Sequence, residues 1–149
     1  MNIFFDMDYT LVAADGTLRP GVREVFDKLK AAGHDIYVWS GMGAREWQIK
    51  ELGLAAMVSG TFAKPLDRFQ EALRGMLQSS HVPAPPDLVI DDYPEIVAAL
   101  GGIVIRPYMH PNPDDGEMER VYKIIQQYAL QGHSSDDSFR LRPAGNHSQ

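Results

Sequence analysis

The sequence predicts an α/β protein built on a doubly wound parallel sheet of about five strands, on three observations. Short apolar runs alternate along the chain with stretches of helical periodicity. The runs are near-continuously apolar rather than alternating, as strands covered on both faces should be. Polar, chemistry-bearing residues (Asp6, Ser40 and Asp91) stand directly after three of those runs. Strands and helices that alternate in this way give a three-layer α/β/α architecture of the Rossmann-like type.

The predicted strands cover Asn2 to Phe5, Asp35 to Trp39, Ala56 to Ser59, Asp87 to Ile90 and Gly102 to Ile105. Between the first two, Val22, Val25, Phe26 and Leu29 share one helical face, with Pro20 before them and Gly33 beyond as start and stop signals. Ala44 to Leu52 forms a second helix closed by Gly53, and Leu66, Phe69, Leu73, Met76 and Leu77 make the stripe of a third. Pro94 fits the first turn of a short fourth helix ending near Leu100. Glu117 to Leu130 carries Met118, Val121, Tyr122, Ile125 and Tyr128, an amphipathic fifth helix that can pack on the sheet. Pro-rich pieces at 81–86 and 107–113 read as loops, and no internal repeat is present.

A chain of 149 residues fits one domain, read here as residues 1–131. Past Gly132 the composition turns to Ser, Asp, Asn, Arg and Pro, so residues 132–149 read as a disordered tail. A formal charge of −6 argues against a dedicated nucleic-acid binder. The absence of cysteine excludes disulfides, thiolate metal sites and cysteine nucleophiles, so any metal must sit on oxygen or imidazole. The five histidines lack metal-ligand spacing, which argues against zinc. No apolar run approaches the roughly 20 residues that span a bilayer, and Met1 to Phe5 lacks a basic leader, so a cytoplasmic location is expected. Trp39, Trp47 and the methionines read as core.

In an open parallel sheet ligands bind at the carboxyl ends of the strands, so Asp6, Ser40 and Asp91 are expected on one edge. Asp6 and Asp8, one residue apart, set two carboxylates side by side; Asp91 and Asp92 add two more, and Lys64 before Pro65 supplies one cation. Unit charges about 4 Å apart still interact by roughly 4 kcal/mol at an effective dielectric of 20. Four negative charges against one positive would repel a phosphate dianion. A divalent cation brings the sum to minus one, and magnesium suits a set of carboxylate and carbonyl oxygens. In that setting Asp6 is the expected nucleophile, Asp8 the proton carrier and Lys64 a charge stabiliser. Ser40 and the main-chain amides of Gly41 and Met42 would hold a phosphate oxygen.

The ordered set Asp6-x-Asp8, Ser40, Lys64 and Asp91-Asp92 resembles the four motifs of the haloacid dehalogenase-like phosphatases, over about Asn2 to Arg106. The resemblance implies that Asp6 is the nucleophile, that Asp8 is the acid/base with its main-chain carbonyl on the metal, and that Asp91 and Asp92 complete the metal set. It also implies a central first strand with the second and fourth beside it. An aspartate at the position of Asp8 goes with phosphoryl transfer rather than dehalogenation. Tyr9 departs from the glycine or asparagine that many members carry there. The segments Leu11 to Asp35 and Ser40 to Lys64 are too short for an inserted cap domain, so the chain resembles the capless members. Such members act on phosphorylated macromolecules, or oligomerise so that a neighbouring copy covers the site and small phosphorylated metabolites bind.

Blander readings exist for each station. A lone Asp-x-Asp is commonly a turn or helix cap, and Asp92 could cap the following helix instead of serving a metal. Asp15, Arg19, Arg45 and His110 read as solvated loop or helix residues. A receiver domain also combines acids, a hydroxyl and a lysine, but there the lysine comes last, whereas Lys64 precedes Asp91. A catalytically silent binding or scaffold protein on the same fold is the remaining alternative.

Overall fold

A computed structural model describes residues 1–144 of the chain. Six strands form one sheet: β1 (Asn2–Asp6), β2 (Asp35–Ser40), β3 (Gly60–Ala63), β4 (Leu88–Asp91), β5 (Gly102–Val104) and β6 (Phe139–Arg140). Five helices connect them: α1 (Val22–Ala31), α2 (Glu46–Glu51), α3 (Phe69–Gln78), α4 (Pro94–Leu100) and α5 (Glu117–Gln131). The sheet order is β3-β2-β1-β4-β5-β6, with every pair parallel except β5 and β6. This is a Rossmann-like doubly wound sheet, and β1 lies between β2 and β4 as expected.

The alternation of side chains along each strand splits the core into two layers. Ile3, Phe5, Ile36 and Ile90 face Val25, Phe26 and Leu29 of α1 and Met118, Val121 and Ile125 of α5. On the other face, Phe4, Trp39 and Val89 meet Leu73 of α3 and Ile96, Val97 and Leu100 of α4. β1 is buried on both sides, and so it reads as an unbroken apolar run. Gly102, at φ 151°, crosses β4 so closely that a Cβ there would lie 1.9 Å from the Val89 carbonyl oxygen, and only glycine fits.

Three expectations change. The third strand lies at Gly60–Ala63 rather than Ala56 to Ser59, because Met57 closes a turn on Leu54 and pairing with β2 begins only at Ser59, whose N–H donates to the Ile36 carbonyl. Helix α3 starts at Phe69, after Arg68 in a left-handed conformation, so Leu66 stays in the preceding loop, 72% exposed. Residues 132–144 are not a detached tail. Phe139 is buried, pairs antiparallel with Ile103 and packs its ring 5.4 Å from that of Tyr128. Arg120 on α5 binds Asp136 at 3.1 Å and Ser138 at 2.7 Å. One aromatic side chain, one ion pair and the open edge of β5 recruit a segment whose composition is polar. The rest of the expected tail, 145–149, lies outside the described residues. Among the described residues no helix is long and apolar enough to cross a membrane.

Candidate active site

The register of the sheet brings the separated stations to one level. Phe5 pairs with Ile90 and Asp6 with Trp39, so Asp6 stands beside Asp91 on one side and next to Ser40 on the other. Ser40 pairs with Ala63, and Lys64 follows at once. All four leave the carboxyl edge of the sheet, where parallel strands present ligand sites.

Lys64 is the centre of the arrangement. Its ammonium donates to Asp6 Oδ1 at 3.0 Å and to Asp91 Oδ2 at 3.0 Å, and all three side chains are largely buried. The Thr10 hydroxyl, fully buried, donates to Asp6 Oδ2 at 3.2 Å. Asp91 Oδ1 accepts the Tyr93 amide at 2.9 Å. Each carboxylate oxygen has two lone pairs, so these bonds leave acceptor capacity on both aspartates. Asp6, Asp91 and Asp92 each offer an oxygen within 4.8 Å of the others.

Electrostatics follow from that packing. Burial, then the Asp91 carboxylate, pushes the Asp6 carboxyl up to about 8, against the pull of Lys64. Burial likewise pushes Asp91 up to about 6, held from going higher by Lys64 and the Tyr93 amide. Burial draws the Lys64 ammonium down, but Asp6 and Asp91 outweigh it and leave it above its ordinary value. Three acids sharing one cation are undercompensated, and a second cation would relieve them. The donor set is all oxygen, which fits magnesium.

The structure separates the other expected residues. Asp92 does not cap α4: the N-cap position belongs to Tyr93, without a side-chain cap bond, and Asp92 joins Asp6 and Asp91 instead. The Asp8 carboxylate stands apart from that group, paired with Arg45 Nη1 at 2.5 Å. Ser40 is buried with its hydroxyl accepting the Met42 amide at 3.1 Å, so Met42 N–H is spent within the loop. Leu66 lies over Gly41, its Cδ2 2.9 Å from where a Cβ would stand. Tyr9 adopts φ 64°, in the tight turn where the Thr10, Leu11 and Val12 amides all point to the Met7 carbonyl. That left-handed conformation suits glycine or asparagine, and a tyrosine there costs roughly 1–2 kcal/mol.

Two sets of contacts escaped the sequence reading. Arg45 is tied to Asp8 and, through its other nitrogen, to Gln48. Arg19, expected in solvent, is 1% exposed. It grips Asp115 with two bonds of 2.7 and 3.0 Å, donates to the Thr10 and Arg106 carbonyls, and lies 5.1 Å from the Tyr108 ring. It thereby fastens the loop after β1 to the loop after β5. Asp15 and His110 are exposed, with Asp15 accepting the Thr17 amide in a local turn. The core assignment holds for Trp39, Met7 and Met118 but fails for Met42, Trp47 and Met109, which are exposed, Trp47 on α2 and the two methionines in loops.

No family model matches this chain. No curated protein matches it either. Among solved structures, it is similar to an uncharacterized protein from Listeria monocytogenes serotype 4b, at 13% identity and a TM-score of 0.46 over 62% of this chain and 68% of that one. It is also similar to the core domain of a candidate phosphoglycolate phosphatase from Streptococcus pneumoniae TIGR4, at 19% identity and a TM-score of 0.45 over 63% and 67%. With TM-scores below 0.5, neither bears on what this chain does. The fold rests on the sheet order, and the chemistry on the residues around Asp6.

Proposed function

We propose that the protein is a magnesium-dependent phosphomonoester hydrolase of the haloacid dehalogenase-like type, without a cap domain. The observation that carries the reading is the convergence of Asp6, Lys64 and the Asp91-Asp92 pair, from three parts of the chain, into one largely buried group with an excess of negative charge.

The carboxylates of Asp6, Asp91 and Asp92, with the main-chain carbonyl of Asp8, would hold magnesium, which when bound supplies positive charge against the phosphoryl oxygens. An oxygen of Asp6 attacks phosphorus in line; the Asp6 O–P bond forms as the ester P–O bond breaks, and that electron pair stays with the leaving oxygen. Asp8 gives the leaving oxygen a proton. Water then attacks the aspartyl-phosphate, its proton passes to Asp8, and the Asp6 carboxylate is regenerated as inorganic phosphate departs. Thr10 and Lys64 hold Asp6 in a single orientation throughout, which keeps the reacting oxygen near its in-line position. The Lys64 ammonium offsets charge on the transferring group. Ser40 and the Gly41 amide bind a non-reacting oxygen; the Met42 amide contributes if the Ser40 hydroxyl turns from it to the phosphate.

The test is a screen of phosphorylated compounds with magnesium and with a chelator, with Asp6→Asn as control. Turnover that needs magnesium and is lost in Asp6→Asn supports the reading. Magnesium-dependent turnover at an undiminished rate in Asp6→Asn contradicts it, and no turnover of any ester by the wild type would favour the silent binding protein.

A further inference from the structure

The side chain of Arg45 does not serve its own helix terminus. It occupies the N-cap position of α2 without making a cap bond, and a cation at a helix N-terminus opposes the helix dipole. Instead its guanidinium reaches back across the site to Asp8, 37 residues away, while its second terminal nitrogen is held by Gln48, itself 92% buried (8% exposed). Gln48 lies beside the loop between β1 and α1, 3.8 Å from where a Cβ on Gly16 would stand. The fork is thus aimed at Asp8 by a buried partner.

Two cations divide this site. Lys64 is committed to Asp6 and Asp91, where the phosphoryl group is transferred. Arg45 stands on Asp8, the residue assigned to the departing oxygen, so whatever group neighbours Asp8 also neighbours the leaving group. The pair with Asp8 is partly open to solvent, with side-chain exposures of 18% and 39%. A pair open to solvent on one side is held less firmly than a buried one. An incoming anion can therefore take the guanidinium at small cost. The large exposed side chains of Tyr9, Met42, Trp47 and Leu66 offer no charge that competes for that role.

We propose that Arg45 is a specificity-determining residue that receives a second anionic group on the leaving side of the substrate, selecting phosphomonoesters that carry a carboxylate or second phosphate close to the ester oxygen. Three charge-assisted hydrogen bonds in series, from the ester oxygen to Asp8, on to Arg45 and from Arg45 to the anion, bound the separation at about 8 Å. That reach includes an anion on the carbon bearing the ester or on the next one. The proposal rests on the phosphatase reading above, so its test separates the two.

Turnover of O-phospholactate is compared with that of its neutral amide, in the wild type, Arg45→Met and Arg45→Lys. The wild type is expected to favour the carboxylate by about ten- to a hundredfold in kcat/KM, the range for a hydrogen bond to a charged group. Arg45→Met should lower kcat/KM for the carboxylate far more than for the amide and so remove the preference, while Arg45→Lys retains part of it. A preference that survives in Arg45→Met overturns the proposal, as does an equal fall for both esters, which would make Arg45 only a positioner of Asp8. The corresponding unreactive phosphonates, titrated calorimetrically into the magnesium-loaded protein, supply the second arm. An Arg45-dependent preference in binding without any turnover would keep the anion receptor and sink the hydrolase; turnover without preference would do the reverse.

Discussion

Lys64→Met removes the one cation that two buried carboxylates share, and the cost should depend on pH. The ammonium lies 3.0 Å from both Asp6 and Asp91, and the carboxyls sit at about 8 and about 6, far above their unperturbed 3.8. A carboxyl raised in the folded state binds its proton more tightly there than in the unfolded chain. The metal-free protein is therefore most stable in acid and loses stability as pH rises from about 4 to about 8. At pH 8.5 both groups are ionised, and removing their partner leaves uncompensated buried charge, which costs about 3–5 kcal/mol. At pH 5 both carry protons and need no cation, so only the packing of a stem similar in size to methionine changes, about 1 kcal/mol. Urea unfolding in a chelator, followed by the fluorescence of buried Trp39, measures both values. An equal loss at pH 5 and pH 8.5 would refute the shared-cation account.

Two further outcomes test the surroundings. Arg19→Met strips Asp115 of its bidentate partner and leaves the Thr10 and Arg106 carbonyls without that donor, so it should destabilise the protein by about 3–5 kcal/mol in denaturant titration; a loss under about 1 kcal/mol would show that the clamp is dispensable. Phe139→Ala should cost about 3 kcal/mol if β6 is part of the sheet, whereas an unchanged urea midpoint would return residues 132–144 to the status of a tail.

The parts of this structure that were legible beforehand are those carried by local pattern. Strands buried on both faces, such as Asn2–Asp6 and Leu88–Asp91, announce themselves as apolar runs, and the first polar residue after each marks the carboxyl edge. Their spatial order was not in the pattern; it came from the resemblance of Asp6-x-Asp8, Ser40, Lys64 and Asp91-Asp92 to known motifs. The third strand was misplaced because Gly60–Ala63 is a half-buried edge strand next to a more apolar loop. Met42 and Trp47 were read as core by residue type, and Leu66 as part of a helical stripe, yet all three are exposed. Phe139 joins a strand 36 residues earlier, Arg45 meets Asp8 across 37, and Arg19 meets Asp115 across 96. Contacts of that span leave no periodicity to read.

Trapping the intermediate tests the central claim most directly. Protein mixed with magnesium and a turned-over ester, quenched in acid and reduced with borohydride, should yield homoserine at position 6, found by peptide mass spectrometry and absent when a chelator replaces magnesium. Reduction at any other residue, or burst-phase turnover with residue 6 unmodified, would contradict the assignment of Asp6 as the atom donor to phosphorus.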